Sequence, residues 1–170
     1  MKKALIISAH PGMGKTFLGR KYKNILDLES SDYKWIYSKN IEVMSCEQRK
    51  AADYRELNSE WPQNYMKAIE KNMYNYDYIL IASYPLILDY LDSINFQYIL
   101  ATPTIESKEI YMKRYKDRGN RDNWIEGQET NWEEYVIQKL ERPNVEKIIL
   151  KDNETLEDYF IKSKYKLVKK

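Results

Sequence analysis

ALIISAHPGMGKT, residues Ala4–Thr16, decides how the rest of the chain is read. Its first five residues, Ala4–Ser8, form a short unbroken apolar run, the mark of a strand buried on both faces. The next eight, Ala9–Thr16, match the phosphate-loop pattern G-x-x-x-x-G-K-[ST] at Gly14, Lys15 and Thr16 and depart from it at Ala9. Phe17, Leu18 and Tyr22 then fall at helical spacing, which predicts a helix over 14–22. Strand, loop and helix thus stand in the order a phosphate cradle requires. Backbone N–H groups from about Gly12 to Thr16 converge on one concavity at the positive end of the helix dipole. Lys15 adds a mobile point charge for the outer phosphates. The Thr16 hydroxyl offers a ligand for Mg²⁺ held between phosphates. The candidate nucleotide contacts are therefore Pro11, Gly12, Met13, Gly14, Lys15, Thr16 and Phe17. Alanine at position 9 adds only a methyl group and is tolerated while its φ stays negative, with Gly12 supplying the local freedom. His10, the only histidine, has no cysteine or histidine cluster around it and is read as a loop residue without a catalytic role.

Working outward, the chain alternates strand and helix. Asn24–Glu29 reads as a second strand, and residues 30–58 are irregular and polar with scattered aromatics. A helix is expected from Ser59, which can cap it, with Pro62 tolerated in its first turn; Tyr65, Ile69 and Met73 fall on one face. Tyr76–Ala82 is the most apolar strand, Pro85–Ile94 a short helix and Gln97–Thr102 another strand. Thr104 can cap a helix running to about Arg118, which Gly119-Asn120 breaks. Thr130–Glu141 opens on a capping-box pattern, Thr130 to Glu133, and must end before Pro143. Val145–Leu150 is a fifth strand, and Asn153 opens a last helix. Such alternation requires crossover connections, hence a parallel sheet with helices on both faces and ligands at the carboxyl ends of its strands.

The totals set bounds. At 170 residues, 43 % apolar and 32 % charged, the composition is that of one globular domain over 1–170. A net charge of +2 gives no reason to expect specific nucleic-acid binding or an acidic membrane as the main partner. Cys46 stands alone, which excludes an internal disulfide and fits a reducing, cytoplasmic setting. No apolar run approaches the ~20 residues that span a bilayer. The first residues imitate a signal peptide only briefly, because the glycine-lysine loop interrupts the apolar part. The N-K-x-D element of guanine-specific GTPases is absent, and there is little room for the second lobe of a helicase.

The arginines point further. Arg114 and Arg118 are four apart, a spacing that puts both side chains on one helix face, and Arg121 follows three later, beyond the Gly119-Asn120 break. Phosphoryl transfer asks an enzyme mainly for positive charge around the moving group, and arginines on a mobile segment can close over it and exclude water.

With AHPGMGKT (Ala9–Thr16), ILDLESSDYKW (Ile25–Trp35), WPQNYMKAI (Trp61–Ile69), YDYILIASY (Tyr76–Tyr84) and RYKDRGN (Arg114–Asn120) in hand, the chain resembles the small P-loop kinases of the nucleoside and nucleotide monophosphate kinase type. The likeness is strongest to a phage-type branch of deoxynucleotide-kinase-like ATP-binding proteins. It covers about residues 4–121. The resemblance implies a three-layer α/β/α P-loop NTPase fold with a five-stranded parallel sheet, Mg-ATP at the loop and an arginine-bearing helical lid over about 104–135. It also implies an acceptor region over about 29–75, built after the second strand and by the Trp61 helix. One departure stands out: such kinases often place an acid at the end of the third strand, where this chain has Ala82, Ser83 and Tyr84. Ser83 can hold a metal-bound water. Asp27 and Glu29 are the nearest acids, open to the roles of base, metal-shell group or sugar clamp. Tyr33, Trp35, Trp61 and Tyr65 are either stacking platforms for a base or packing residues. The expected activity is ATP-dependent phosphotransfer to a nucleotide, by preference a (deoxy)nucleoside monophosphate. Lys15, Arg114, Arg118, Arg121 and Asp27 are the candidate catalytic residues, and Tyr84 joins the acceptor set. A kinase of a nucleoside or small-metabolite hydroxyl, and a non-catalytic ATP-binding regulator, are the rival expectations.

Overall fold

A computed structural model of the chain describes residues 2–37, 44–45, 48–49, 55–151 and 153–170. Cys46 and much of the 30–58 stretch lie outside the described residues. In chain order the elements are β1 (Leu5–Ala9), α1 (Lys15–Lys21), β2 (Ile25–Asp27), α2 (Ser31–Lys34), β3 (Trp35–Tyr37), β4 (Arg55–Leu57), α3 (Gln63–Asn72), β5 (Tyr78–Ala82) and α4 (Pro85–Ser93). Then follow β6 (Ile99–Pro103), a 3₁₀ turn (Ile105–Ser107), α5 (Lys108–Asp117), α6 (Asp122–Thr130), α7 (Trp132–Leu140), β7 (Glu146–Leu150) and α8 (Leu156–Lys162).

The fold is α/β. Five strands form one all-parallel sheet in the order β2-β5-β1-β6-β7, flanked by helices. Alternation along the strands feeds two cores. Ile7, Leu80, Ile99, Ala101 and Ile148 pack with Leu18 of α1, Tyr111 and Tyr115 of α5, Trp132 and Val136 of α7 and Phe160 of α8. Ile6, Ile79, Ile81 and Leu100 pack with Tyr65, Met66 and Ile69 of α3 and Ile87, Leu88 and Leu91 of α4. Central β1 is in register with both neighbours, Ala9 lying opposite Ala82 and Ala101. From β1 the chain runs to β2 on one side of the sheet. After β5 it crosses back past β1 to β6 on the other side. Connections that diverge in this way open a crevice at the carboxyl end of the central strand.

Several local expectations are corrected. Helix α3 begins at Gln63 with Pro62 at its N-cap, so Ser59 does not cap it. Thr130 ends α6, and α7 starts from Asn131 without a side-chain cap; the Thr130/Glu133 pattern is not used as a capping box. The capping box lies at Thr155 and Asp158, opening α8 two residues beyond Asn153. Thr104 meets the Ser107 hydroxyl at 3.1 Å ahead of the 3₁₀ turn, and α5 itself starts at Lys108. The break after α5 is a left-handed C-cap. Gly119 has φ 70°, its N–H reaches Lys116 O at 2.9 Å, and Asn120 N–H reaches Tyr115 O at 3.1 Å. Within the described part of 30–58, β3 and β4 pair antiparallel, Trp35 opposite Leu57. No described helix is long and apolar enough to cross a membrane.

Candidate functional site

The Ala9–Thr16 loop leaves the sheet at its centre. Ala9 is fully buried between Ala82 and Ala101 and has no left-handed φ, so the strand end accepts its methyl group. The turning is done by Gly12, at φ 83°, and Gly14, at φ 94°. A side chain at Gly12 would also stand 3.1 Å from the Tyr115 ring and 3.3 Å from that of Tyr111. Three successive loop carbonyls are held from outside. Tyr115 Oη donates to Pro11 O at 3.2 Å, Arg114 Nη1 to Gly12 O at 3.3 Å, and Leu156 N–H to Met13 O at 3.1 Å. The Met13 side chain is wholly buried and does not line the cleft. Lys15 Nζ reaches back to Ala9 O at 3.0 Å and His10 O at 3.5 Å, spanning the loop. Helices α5 and α8 therefore set the loop's shape in advance, and nothing in the motif announces that.

Above the loop lies a cleft of ≈ 1090 Å³ at the carboxyl ends of β1 and β5. Pro11, Gly12, Gly14, Lys15, Thr16 and Phe17 line its floor. One wall carries Glu29, Ser30, Lys34, Trp35, Arg55, Ser83 and Tyr84; the other carries Arg114, Arg118, Arg121, Trp124, Tyr135 and Lys139. Among the described residues, the wall residues with Lys15 and Arg20 amount to eight cations, against the two carboxylates Glu29 and Asp117. The whole chain has a formal charge of only +2, so the cleft gathers positive charge that the rest of the surface balances.

All three predicted arginines come together on this cleft. Arg114 is braced: it stacks on Tyr111 at 4.7 Å and donates to Asn153 O at 2.8 Å as well as to the loop. The segment that bears them is rooted by Tyr111, Tyr115 and Trp132, each about fully buried. Arg118 and Arg121 enter from the left-handed turn between α5 and α6.

The predicted acceptor set divides. Glu29, Ser83 and Tyr84 line the cleft, and the Glu29 carboxylate accepts from Ser31 N–H at 3.3 Å and Ser31 Oγ at 3.1 Å. Asp27 does not; it borders a smaller adjoining cavity of ≈ 360 Å³ with Gly19, Asp32 and Arg49, which meets the cleft's lining at Thr16, Arg20 and Glu29. Tyr65 is wholly buried. Its hydroxyl donates to Leu28 O at 2.7 Å and accepts from Ala82 N–H at 3.2 Å, tying the ends of β2 and β5. Tyr33 and Trp61 pack on Tyr65 at 5.3 and 5.4 Å and are also off the cleft lining. In their place stand Lys34 and Arg55. The Lys34 ammonium lies 4.4 Å from the Tyr84 ring centre and 5.0 Å from that of Trp35, and Arg55 lies 4.6 Å from that of Trp35. Burial, then Arg55, lowers the Lys34 pKa. Among the described residues no group of three or more His, Cys, Asp or Glu is placed to hold a metal ion.

Two residues at the back were not foreseen. His10 is buried, with Nε2 at 2.9 Å from Tyr115 Oη and edge contacts to Tyr111 and Trp132. Burial, then Lys139, then Lys15, holds its pKa well below the usual imidazole value. Lys139 is itself buried, donates to Tyr135 O at 2.8 Å and has its pKa pushed down to about 8 by desolvation. A lysine on an otherwise amphipathic helix carries no sequence signal that it turns inward.

No protein-family model, no curated protein and no solved structure matches the chain.

Proposed function

We propose that the chain is an ATP-dependent phosphotransferase whose acceptor is a nucleotide, a (deoxy)nucleoside monophosphate. The observation that carries the reading is the pairing of a glycine-turned G-K-T loop at the sheet's central crevice with a cleft whose described lining has eight cations and two carboxylates. A cleft of that charge suits a ligand with several phosphates, and two anionic substrates meeting in it would need such screening of their mutual repulsion. In the reaction an acceptor phosphate oxygen attacks the γ-phosphorus of ATP, the bond to the β–γ bridging oxygen breaks, and ADP leaves. Lys15 balances charge on the transferring group, with Arg118 and Arg121 facing it from the wall. Arg114 acts by bracing the loop. A phosphate acceptor is already ionised and needs no base, which agrees with Asp27 standing off the cleft lining and weighs against a hydroxyl acceptor.

Magnesium fits as an ion carried in by the phosphates, where it would supply charge neutralisation. Such an ion needs only one or two protein ligands. The Thr16 and Ser83 hydroxyls and the Glu29 carboxylate are the cleft-lining groups that would hold it. The absence of a carboxylate after β5 favours one rival, an ATP-binding module without transfer.

The test is a coupled assay for ADP across the common ribo- and deoxynucleoside monophosphates. At least one should turn over, and Lys15→Ala should lower kcat on the order of 100-fold while the fold is retained. ATP binding with no turnover on any of them would leave the binding module as the reading.

A further inference from the structure

Lys34 and Arg55 are far apart in sequence and meet at one ring. Lys34 ends α2 and Trp35 opens β3, so the lysine and the indole are chain neighbours. Arg55 reaches the same ring from β4. Trp35 lies opposite Leu57 and Tyr37 opposite Arg55, which makes Trp35 and Arg55 diagonal neighbours on one face of the ribbon. The Arg55 guanidinium stands 4.6 Å from the indole centre and the Lys34 ammonium 5.0 Å from it. The ammonium is also 4.4 Å from the Tyr84 ring centre. Lys34, Trp35, Arg55 and Tyr84 all line the cleft, and none of the four is buried. An aromatic face attracts a cation but brings no net charge to balance it. Among the described residues neither Lys34 nor Arg55 is in an ion pair. Glu56, next to Arg55 in β4, belongs to the other face of the ribbon, because successive strand residues alternate. The Glu29 carboxylate is taken up by Ser31.

Two cations without a carboxylate select a ligand by its charge. Burial and the neighbouring Arg55 both disfavour the Lys34 ammonium, so the free site is under electrostatic cost. A carboxylate would balance one of the two charges. A phosphate monoester carries about −1.5 to −2 at pH 7 and presents three terminal oxygens, so a single group can meet both cations. We infer that Lys34 and Arg55 form a second anion subsite, apart from the loop, that holds the phosphate monoester of the acceptor. The inference rests on the nucleotide reading above and adds to it which wall serves which substrate. Lys15, Arg118 and Arg121 attend the phosphates of ATP, and the α2–β3–β4 wall presents the acceptor. Trp35 and Tyr84 then act as rests that hold the two cations in place, not as platforms for the acceptor's base.

The test is calorimetric titration of the full chain with Mg-ATP and, separately, with the common ribo- and deoxynucleoside monophosphates. Lys34→Gln and Arg55→Gln should each weaken the monophosphates that bind on the order of 10- to 100-fold. Mg-ATP affinity should fall by no more than about 2-fold, the share lost with long-range attraction. Lys34→Arg and Arg55→Lys keep the charge and should lose much less than the glutamine variants. Circular dichroism verifies the fold of each variant, and either position decides the matter if the other variant does not fold. Equal losses in the charge-keeping and glutamine variants would assign the effect to packing of the ribbon and overturn the inference. So would a loss confined to Mg-ATP, which would give these cations to the donor. A monophosphate that is phosphorylated, yet held as tightly by both glutamine variants as by the unsubstituted chain, would overturn the inference and leave the nucleotide reading intact. Mg-ATP binding with no monophosphate bound by the unsubstituted chain would remove this inference and the acceptor assignment together.

Discussion

Lys139 shows at the scale of one residue what the cleft costs the fold. Burial takes its pKa from an ordinary 10.5 to about 8. Between those values the unfolded chain holds a proton that the folded chain has released, so stability rises with pH across that window. Below pH 8 the penalty of a buried ammonium is present in full. Lys139→Met keeps the apolar stem and removes the charge. It should raise stability at pH 7 by ~1–3 kcal/mol, with the gain fading as pH climbs toward the unfolded value. Urea titrations of both proteins at pH 7 and 10 check this. The same variant should bind ATP or its acceptor more weakly, since a cation has left the cleft. The glycines make the converse case. At Gly14, φ 94°, an alanine is strained by ~1–2 kcal/mol even though the nearest atom to its Cβ would be Thr155 Cβ at 3.8 Å. Gly14→Ala should therefore lower the urea midpoint and also weaken ATP binding, whereas Lys15→Ala should affect transfer with little effect on the midpoint.

At the scale of elements the site depends on how closely α1 lies against β2. An ideal Cβ on Gly19 would stand 2.8 Å from Asp27 Cβ and 3.0 Å from Asp27 N. The obstacle is partly backbone, so neither side can yield without moving a strand that leads to Glu29 or a helix that begins with Lys15 and Thr16. Alanine would gain ~1 kcal/mol of helix propensity in an isolated helix. In the fold, Gly19→Ala should instead destabilise by ~1–3 kcal/mol and depress ATP affinity, readable from melting temperature and calorimetry. This contact was invisible in the sequence, where Gly19 is one more small residue in a helical pattern. Of the five parallel strands, β1, β5 and β6 were legible as apolar runs between turn residues, and the edge strands β2 and β7, which carry Asp27, Glu146 and Lys147, by their place in the strand-helix alternation. The β3–β4 ribbon was not: three residues per strand are too few for a period-2 signal, and the partners are about twenty residues apart. Thr130 and Glu133 mimicked a capping box because the pattern ignores whether the preceding helix has ended, while the working box at Thr155 uses an aspartate at its fourth position. Of the cleft lining, the loop, Arg114 and Arg118 were legible from motif and spacing, whereas Arg121 reaches the same cleft across the Gly119 turn. Tyr65 was misleading because an aromatic at helical spacing looks the same whether its hydroxyl ties two strands or faces a ligand. His10 and Lys139 owe their positions to topology alone.

At the scale of the whole molecule the charge distribution sets two responses to salt, and they have opposite signs. The chain is nearly neutral overall, at +2, so repulsion between distant surface charges is weak. The imbalance is local: among the described residues, eight cations and two carboxylates face one cleft. Without an anionic ligand these cations repel one another and destabilise the folded state. Salt shortens the screening length from about 10 Å at 0.1 M to about 3 Å at 1 M, and it relieves that repulsion. The melting temperature of the ligand-free chain should therefore rise between 0.05 and about 0.5 M NaCl. ATP affinity should fall over the same range, since the attraction that draws a polyphosphate in is screened by the same ions. Arg118→Ala should flatten both slopes, because it removes one of the repelling charges and one of the attracting ones. Thermal melts and isothermal titrations across a salt series would measure the pair of slopes on one preparation. A melting temperature indifferent to salt together with salt-insensitive ATP binding would mean that the cleft's cations are neutralised from within, and that the concentrated charge is not what holds the phosphates.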